Sequence, residues 1–271
     1  MLTRVLTGVI AGGVTLTALL WREPWGIIVL LLAIVLLCSL EIDSLTSSVS
    51  SAALLSVLIP LALMPILGGL NIGFMAIAGV LWAGSVVGFA LRSHLGAARA
   101  LLLYWLAPSA CFVALLLALQ GQDSGSFGPN LLILAWVPLW AGDSLAYFIG
   151  KTWGKHPLAP SVSPNKTVEG AVANLAGCVL ASWGIGTWMG APLAAWLLVG
   201  LSTGVIGQVG DLLQSGFKRL MGAKDSGRIL PGHGGVLDRL DSFFVSVYPS
   251  FLALYFFAPD LFHVKHWPWS G

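Results

Sequence analysis

Residues 131–149 read LLILAWVPLWAGDSLAYFI, an apolar run in which Asp143 is the single charged side chain. At about 20 residues per helical crossing of a ~30 Å hydrocarbon core, this stretch is long enough to span a membrane. The pattern recurs along the chain. Apolar runs separated by polar or turn-forming residues give nine candidate spans, at approximately 5–20, 25–40, 51–67, 72–91, 101–119, 131–149, 171–189, 194–213 and 243–258. The composition agrees. Of 271 residues 57% are hydrophobic and 9% charged, with a net charge of +2 and a mean hydropathy of +0.91, against ~45–50% apolar and ~25% charged in soluble domains. A soluble enzyme and a disordered chain are both excluded on this balance. The expected fold is all-α, a polytopic integral membrane protein with one transmembrane domain over 1–271 and no separate soluble domain. The first span follows Arg4, and no small-x-small cleavage site precedes Trp21-Arg22-Glu23-Pro24, so it reads as a retained helix.

Nine crossings place the termini on opposite sides. One side collects Arg4, Arg92, Arg99, Lys151, Lys155, Lys166, Lys218, Arg219, Lys224, Arg228 and Arg239, leaving only Arg22 and Lys265 of the 13 basic residues. By the positive-inside rule the N-terminus is expected in the cytoplasm and the C-terminus outside. Cys38, Cys111 and Cys178 each lie in an apolar stretch and read as small buried hydrophobes, not as a disulfide or zinc framework. Small-xxx-small pairs at Gly8/Gly12, Gly84/Gly88, Gly186/Gly190 and Gly200/Gly204 would let helices approach closely.

Function is expected in the second half, 141–271, where the two long cytoplasmic connections, 150–170 and 214–242, hold most of the Pro, Gly and charge; the first half, 1–140, is less specific. Each connection follows a helix with an acid at its cytoplasmic end, Asp143 or Asp211. Ionisable groups in membrane spans are costly and mark a cavity, a partner or an ion. The segment GDLLQSGFKRLMGAKDSGRILPGHGGVLDRLDS, from Gly210 to Ser242, joins Asp211, Asp225, Asp238 and Asp241 to Lys218, Arg219, Lys224, Arg228 and Arg239. Asp238 and Asp241 stand at i and i+3, on one face of a helix; such a pair suits a hard cation such as Mg²⁺, or it is an acidic helix start favoured by the macrodipole. Pro231-Gly232-His233-Gly234-Gly235 can open backbone N–H groups to an anion or be a plain loop, and His233 can donate to a phosphate, act as an acid or brace the turn.

The other connection, DSLAYFIGKTWGKHPLAPSVSPNKTVEGA from Asp143 to Ala171, sets Asp143 and Tyr147 one turn apart and makes Gly150, Lys151, Gly154 and Lys155 a flexible basic patch. Lys151 and Lys155 serve phosphate or are simply positive-inside anchors. Thr167 or Asn165 is the expected N-cap of the next helix, whose positive start beside Lys166 suits phosphate.

Both segments closely resemble the phosphatidate cytidylyltransferase, or CDP-diacylglycerol synthase, family. The resemblance is carried by S-x-x-K-R at Ser215, Lys218 and Arg219, K-D at Lys224 and Asp225, P-G-H-G-G from Pro231 to Gly235, and D-R-x-D at Asp238, Arg239 and Asp241. Asp143, Ala146, Tyr147, Gly150, Lys151, Gly154, Pro160, Ser163, Pro164, Lys166, Glu169 and Gly170 agree independently. Before residue 140 the agreement is mainly in hydropathy and in the Arg4-to-Gly8 opening. One departure is Gln214, where many members carry Glu; Gln cannot supply that negative charge.

The resemblance implies transfer of a cytidylyl group from CTP to phosphatidic acid, giving CDP-diacylglycerol and pyrophosphate, with Mg²⁺ and with or without a second metal ion. It implies a metal site at Asp211 and Asp238, with Asp241 or Asp143, and phosphate contacts from Lys166, Lys218, Arg219, Lys224 and Arg239. Ser163, Asn165 and His233 would orient the nucleotide, and Glu169, Ser215, Gly234 and Gly235 belong to the same substrate-binding set. Asp225 is either catalytic or one half of a loop ion pair with Lys224. The expected partners are CTP, phosphatidic acid and the bilayer, with no nucleic acid and with a homodimer suggested by the family, at the cytoplasmic face of a bacterial inner membrane. Two other readings differ in class: a CTP-dependent kinase of dolichol or another polyprenol, and an ion-coupled transporter, against which the lack of an internal repeat argues.

Overall fold

A computed structural model describes residues 2–20, individual positions between 30 and 45, 132–232, 234–258 and 261. The spans expected at 51–67, 72–91 and 101–119, most of 25–40, Cys111 and His233 lie outside the described residues. So do Arg22, Arg92, Arg99 and Lys265.

The chain divides into two compact units that interleave along the sequence: Met1–Asn130 with Met221–Leu240 and Val264–Gly271, and Leu131–Leu220 with Asp241–His263. In the first, α1 (Leu2–Leu20) is the expected first helix. Its Thr7 hydroxyl donates to the Pro231 carbonyl at 3.2 Å. The described positions between 30 and 45 are helical and bury Ile34, Cys38, Glu41 and Ile42. The described residues of 221–236 are irregular, with a bridge between Leu230 and Gly234.

The second unit begins with α2 (Leu132–Trp153). Antiparallel strands β1 (Pro157–Ala159) and β2 (Ser163–Thr167) lead into α3 (Val168–Trp188). Next come α4 (Leu193–Leu201), a π-helical turn (Ser202–Ile206) and α5 (Gly207–Leu220). Helix α6 (Leu237–Phe257) starts in the first unit and continues in the second. Among the described residues, three stretches are long and apolar enough to cross a membrane, Leu132–Trp153, Val168–Trp188 and the continuous Leu193–Leu220. This is the helical membrane protein expected, with one correction to the all-α reading: the 150–170 connection holds a β-hairpin, and its ends belong to helices.

The packing of α2 on α3 explains the local sequence. Gly142, Ala146 and Gly150 recur every four residues on one stripe of α2 and meet Gly170, Asn174 and Gly177 of α3. A Cβ on Gly177 would lie 3.0 Å from the Gly142 Cα and from the Ala141 carbonyl; one on Gly170 would lie 3.3 Å from the Gly150 Cα. Small residues at this period are what close helix approach in a membrane needs, since lipid supplies little hydrophobic drive. The next stripe of α2, one residue on, is Asp143, Tyr147 and Lys151. The patch expected to be flexible is therefore structured: Gly150 and Lys151 are helical, and Gly150 and Gly154 approach Thr167 closely.

Of the anticipated glycine pairs, Gly200 and Gly204 both meet α3 backbone: a Cβ on Gly200 would lie 2.8 Å from the Val179 Cα and one on Gly204 3.0 Å from the Leu175 Cα. Gly186 packs on Trp196, but Gly190 is a turn glycine with φ +75°. Cys178 and Cys38 are free and buried, as expected.

The connection expected over 214–242 is shorter, because α5 continues to Leu220 and α6 starts at Leu237. Hydropathy falls away before the helix does. The end of α5 is amphipathic, burying Gln214 and Phe217 beside the basic Lys218 and Arg219. Asp211, Ser215 and Lys218 consequently share one helical stripe at i, i+4 and i+7.

Candidate active site

The second unit encloses a cavity of about 520 Å³ between α2, the hairpin, the start of α3, α5 and α6. Its polar lining includes Asp143, Tyr147, Lys151, Asn165, Lys166, Asn174, Gln208, Asp211 and Ser242. Each element delivers its residues for a local reason. Asp143, Tyr147 and Lys151 come from the α2 stripe beside the glycine seam, and the Lys151 ammonium sits 5.5 Å from the Tyr147 ring centroid, a cation–π distance. Thr167, one of the two expected N-caps, caps α3: its hydroxyl accepts from the Gly170 N–H at 3.1 Å, while Asn165 lies in β2. Thr167, Gly170 and Ala171 all line the cavity, so the N-terminus of α3 opens onto it, and such a terminus favours anions.

Lys166 and Asp211, far apart in sequence, form a part-buried ion pair across the cavity. Ser215 donates to the other Asp211 oxygen at 3.4 Å, and Asn174 donates to Asp143 at 3.1 Å. Gln208 donates to the carbonyls of Ala171 and Gly204, joining α5 to the start of α3. Asp241 and Lys218 are buried, and the charges of Asp211, Lys218 and Lys166 act on Asp241. Its Oδ1 accepts from the Ser242 N–H at 2.7 Å. Close helix approach sets this up: a Cβ on Gly210 would lie 3.0 Å from the Asp241 carbonyl.

Other expected site residues have different surroundings. The Glu169 carboxylate accepts from the N–H groups of Lys155 and His156 and meets the His156 ring at 2.6 Å, tying the end of α2 to the start of α3. Arg219 donates to the Val162 carbonyl in the hairpin turn at 3.4 Å. Ser163 opens β2 and is not among the cavity's described lining residues.

In the first unit, Lys224, Asp225 and Arg239 are exposed and Gly235 is buried. Gly232 and Gly234 have φ near +78° and +80°, a left-handed backbone that favours glycine. A Cβ on Gly234 would lie 2.9 Å from the Asp238 carboxylate and 3.4 Å from the Asp225 Cβ. Asp238 accepts from the N–H groups of Ser226 at 2.8 Å and Gly235 at 3.0 Å. Asp238 lies in the first turn of α6 and its second bond reaches back to the chain just before the helix, so Asp238 does serve as an acidic helix start.

Three polar residues escape the motif reading. Asn174 and Gln208 were signalled only as polar interruptions of apolar spans. Glu41 had the same kind of signal, an acid following the apolar run Ile34–Leu40; it is 3% exposed and accepts three hydrogen bonds from residues 226–237.

The profile of the Cytidylyltransferase family matches residues 2–257, nearly the whole chain. The chain belongs to the Cytidylyltransferase family. Among relatives of the chain, a phosphatidate cytidylyltransferase of Staphylococcus saprophyticus is 46% identical over 123 residues, 45% of this chain and 47% of that protein. One from Staphylococcus aureus is 44% identical over the same shares, and one from Staphylococcus haemolyticus is 46% identical over 120 residues, 44% of this chain and 46% of that protein. The match spans about half the length of these relatives.

The cavity also bears on the expected Mg²⁺. That ion usually takes one or two carboxylates and completes its shell with waters and substrate phosphates. Asp143 from α2 and Asp211 from α5 both line the cavity and are donors of that kind, and no group of three or more His, Cys, Asp or Glu placed to hold a metal occurs among the described residues.

Proposed function

We propose that this chain transfers the cytidylyl group of CTP to phosphatidic acid, releasing pyrophosphate and forming CDP-diacylglycerol. The observation that carries the reading is the cavity that joins the Lys166–Asp211 pair, Asp143 and Lys151 at the N-terminus of α3. The names of the staphylococcal relatives support the choice of substrates.

A phosphate oxygen of phosphatidic acid attacks the α-phosphorus of CTP, a new P–O bond forms, and the bond to the bridging oxygen breaks so that pyrophosphate departs with the electron pair. The nucleophile is a phosphate monoester with a second pKa of ~6, largely ionised at neutral pH, so no protein base is required. The protein's work is to align two anions and offset their charge. Lys166 and Lys151 meet phosphate oxygens, the positive end of the α3 dipole favours a further phosphate beside them, and Asn165 orients the nucleotide. Lys218, Arg219, Lys224 and Arg239 are further phosphate contacts in this reading. Bound Mg²⁺, held by Asp211 with Asp143 or Asp241, would supply charge neutralisation at the α-phosphate and the leaving group; Asp238, like a second ion, enters on its motif alone. The same reading sets the cavity at the cytoplasmic face of a bacterial inner membrane, where CTP arrives from water and phosphatidic acid from the bilayer, and takes the enzyme as a homodimer.

Detergent-purified chain with Mg²⁺, α-labelled CTP and phosphatidic acid should yield labelled lipid and pyrophosphate in equal amounts, and Asp211→Asn should abolish both. Folded wild-type protein giving no labelled lipid, or CDP together with a phosphorylated lipid alcohol, would overturn the reading.

A further inference from the structure

Glu41 is a buried carboxylate that the reaction outlined above does not use. Its Oε1 accepts from the Val236 N–H at 2.8 Å, and its Oε2 accepts from the Leu237 N–H at 2.9 Å and the Ser226 hydroxyl at 2.8 Å. All three groups donate, so the pocket is built for a side chain that accepts at both of its oxygens. A buried carboxylate is tolerated when it is paired in this way. The loop has also given up side chains to make room. A Cβ on Gly227 would lie 2.8 Å from Glu41 Oε1, and one on Gly235 would lie 2.8 Å from its Cδ.

Capping α6 does not by itself account for this. Asp238 already supplies the local reach-back to Gly235, whereas Glu41 lies 195 and 196 residues from the amides it binds. Ser226 links the two acids, giving its hydroxyl to Glu41 and its N–H to Asp238. The conformation of residues 226–237 and the direction of the Asp238 carboxylate are therefore set together.

We propose that Glu41 is a positioning residue for cytidylyl transfer: its carboxylate fixes the 226–237 segment and, through Ser226 and Gly235, the orientation of Asp238. The catalytic half of this inference rests on the proposed function.

Glu41→Gln keeps the shape but turns an NH₂ toward a donor, and since the Val236 and Leu237 amides face different oxygens, either amide orientation leaves one unsatisfied. Hydrogen exchange on the detergent-purified full chain should show the 226–237 amides exchanging at least about tenfold faster in this variant, with α2 and α3 unchanged. In the transfer assay, kcat should fall about 100-fold while KM for CTP stays within about threefold, because the cavity residues are untouched. Ser226→Ala, which removes one of the three bonds, should act in the same direction with a loss of about tenfold, and it decides the matter if Glu41→Gln does not fold.

Unchanged exchange in 226–237, or wild-type kcat in both variants, would overturn the proposal. So would a kcat loss that follows uniformly faster exchange across α2 and α3. A wild-type chain inactive in transfer would overturn the proposed reaction and the catalytic half together, and the exchange arm would still decide whether Glu41 holds the segment.

Discussion

Lys166 and Asp211 stand 29% exposed each, partly screened from water and so worth more to each other than a surface pair. An incoming polyphosphate offers Lys166 a second anion without removing the first. Lys166→Met should lower kcat/KM for CTP by about 100-fold or more, through the lost phosphate contact, and should lower Tm modestly by leaving the part-buried Asp211 without its cation; a loss of kcat/KM below about threefold in steady-state assays would assign Lys166 a purely structural role. Gln214 poses a different question. It is 1% exposed, and Lys218, one turn later, is 8% exposed. A Glu at i with Lys at i+4 is the favourable order on a helix, so Gln214→Glu should keep the fold with a Tm within about 3 °C of wild type, a shift worth about 1 kcal/mol or less. A larger drop in a thermal melt would show that the buried site requires a neutral amide. Both residues carried sequence signals. Their burial did not, because it depends on which stripe of α5 turns inward.

At the scale of elements, the α2–α3 seam is the part most exposed to disruption by added volume. Gly177→Leu forces side-chain atoms into the backbone of α2, and overpacking of this kind costs ~1–3 kcal/mol or more. The variant should lose thermal stability and, because the stripe carrying Asp143 shifts with α2, transfer activity too. Gly216→Ala is the contrast, since the nearest atom to its Cβ would be Val162 Cγ1 at 3.9 Å, and it should be nearly silent in both measurements. Thr167→Ala removes the α3 cap, a loss of ~1 kcal/mol, and should loosen the helix start that lines the cavity, raising KM for CTP more than it lowers kcat; equal KM values would argue against a phosphate at that terminus. The existence of these helices was legible in apolar runs of sufficient length. Their ends were not: α5 outlasts its hydropathy by about two turns of amphipathic sequence, from Gln214 to Leu220, and the hairpin between α2 and α3 has strands too short to show a two-residue alternation.

For the whole molecule, the distribution of basic residues leads to one topological expectation, a cytoplasmic hairpin. Lys155→Cys, at an exposed position, should react with a membrane-impermeant maleimide in inside-out vesicles and stay protected in right-side-out ones; the reverse would invert the proposed orientation. Composition, hydropathy and the spacing of Asp, Lys and Gly by themselves determined a helical membrane protein of the Cytidylyltransferase family, because lipid admits only long apolar helices here and because a dense polar motif is costly in such a chain. Only the tertiary structure decided which of the motif residues share a cavity, that Glu169 and Arg219 serve to bind elements together, and that Glu41 belongs to the 226–237 segment. The physical reason is that a hydrogen bond or ion pair depends on approach in space, and nothing in local sequence relates an acid at position 41 to amides at 236 and 237.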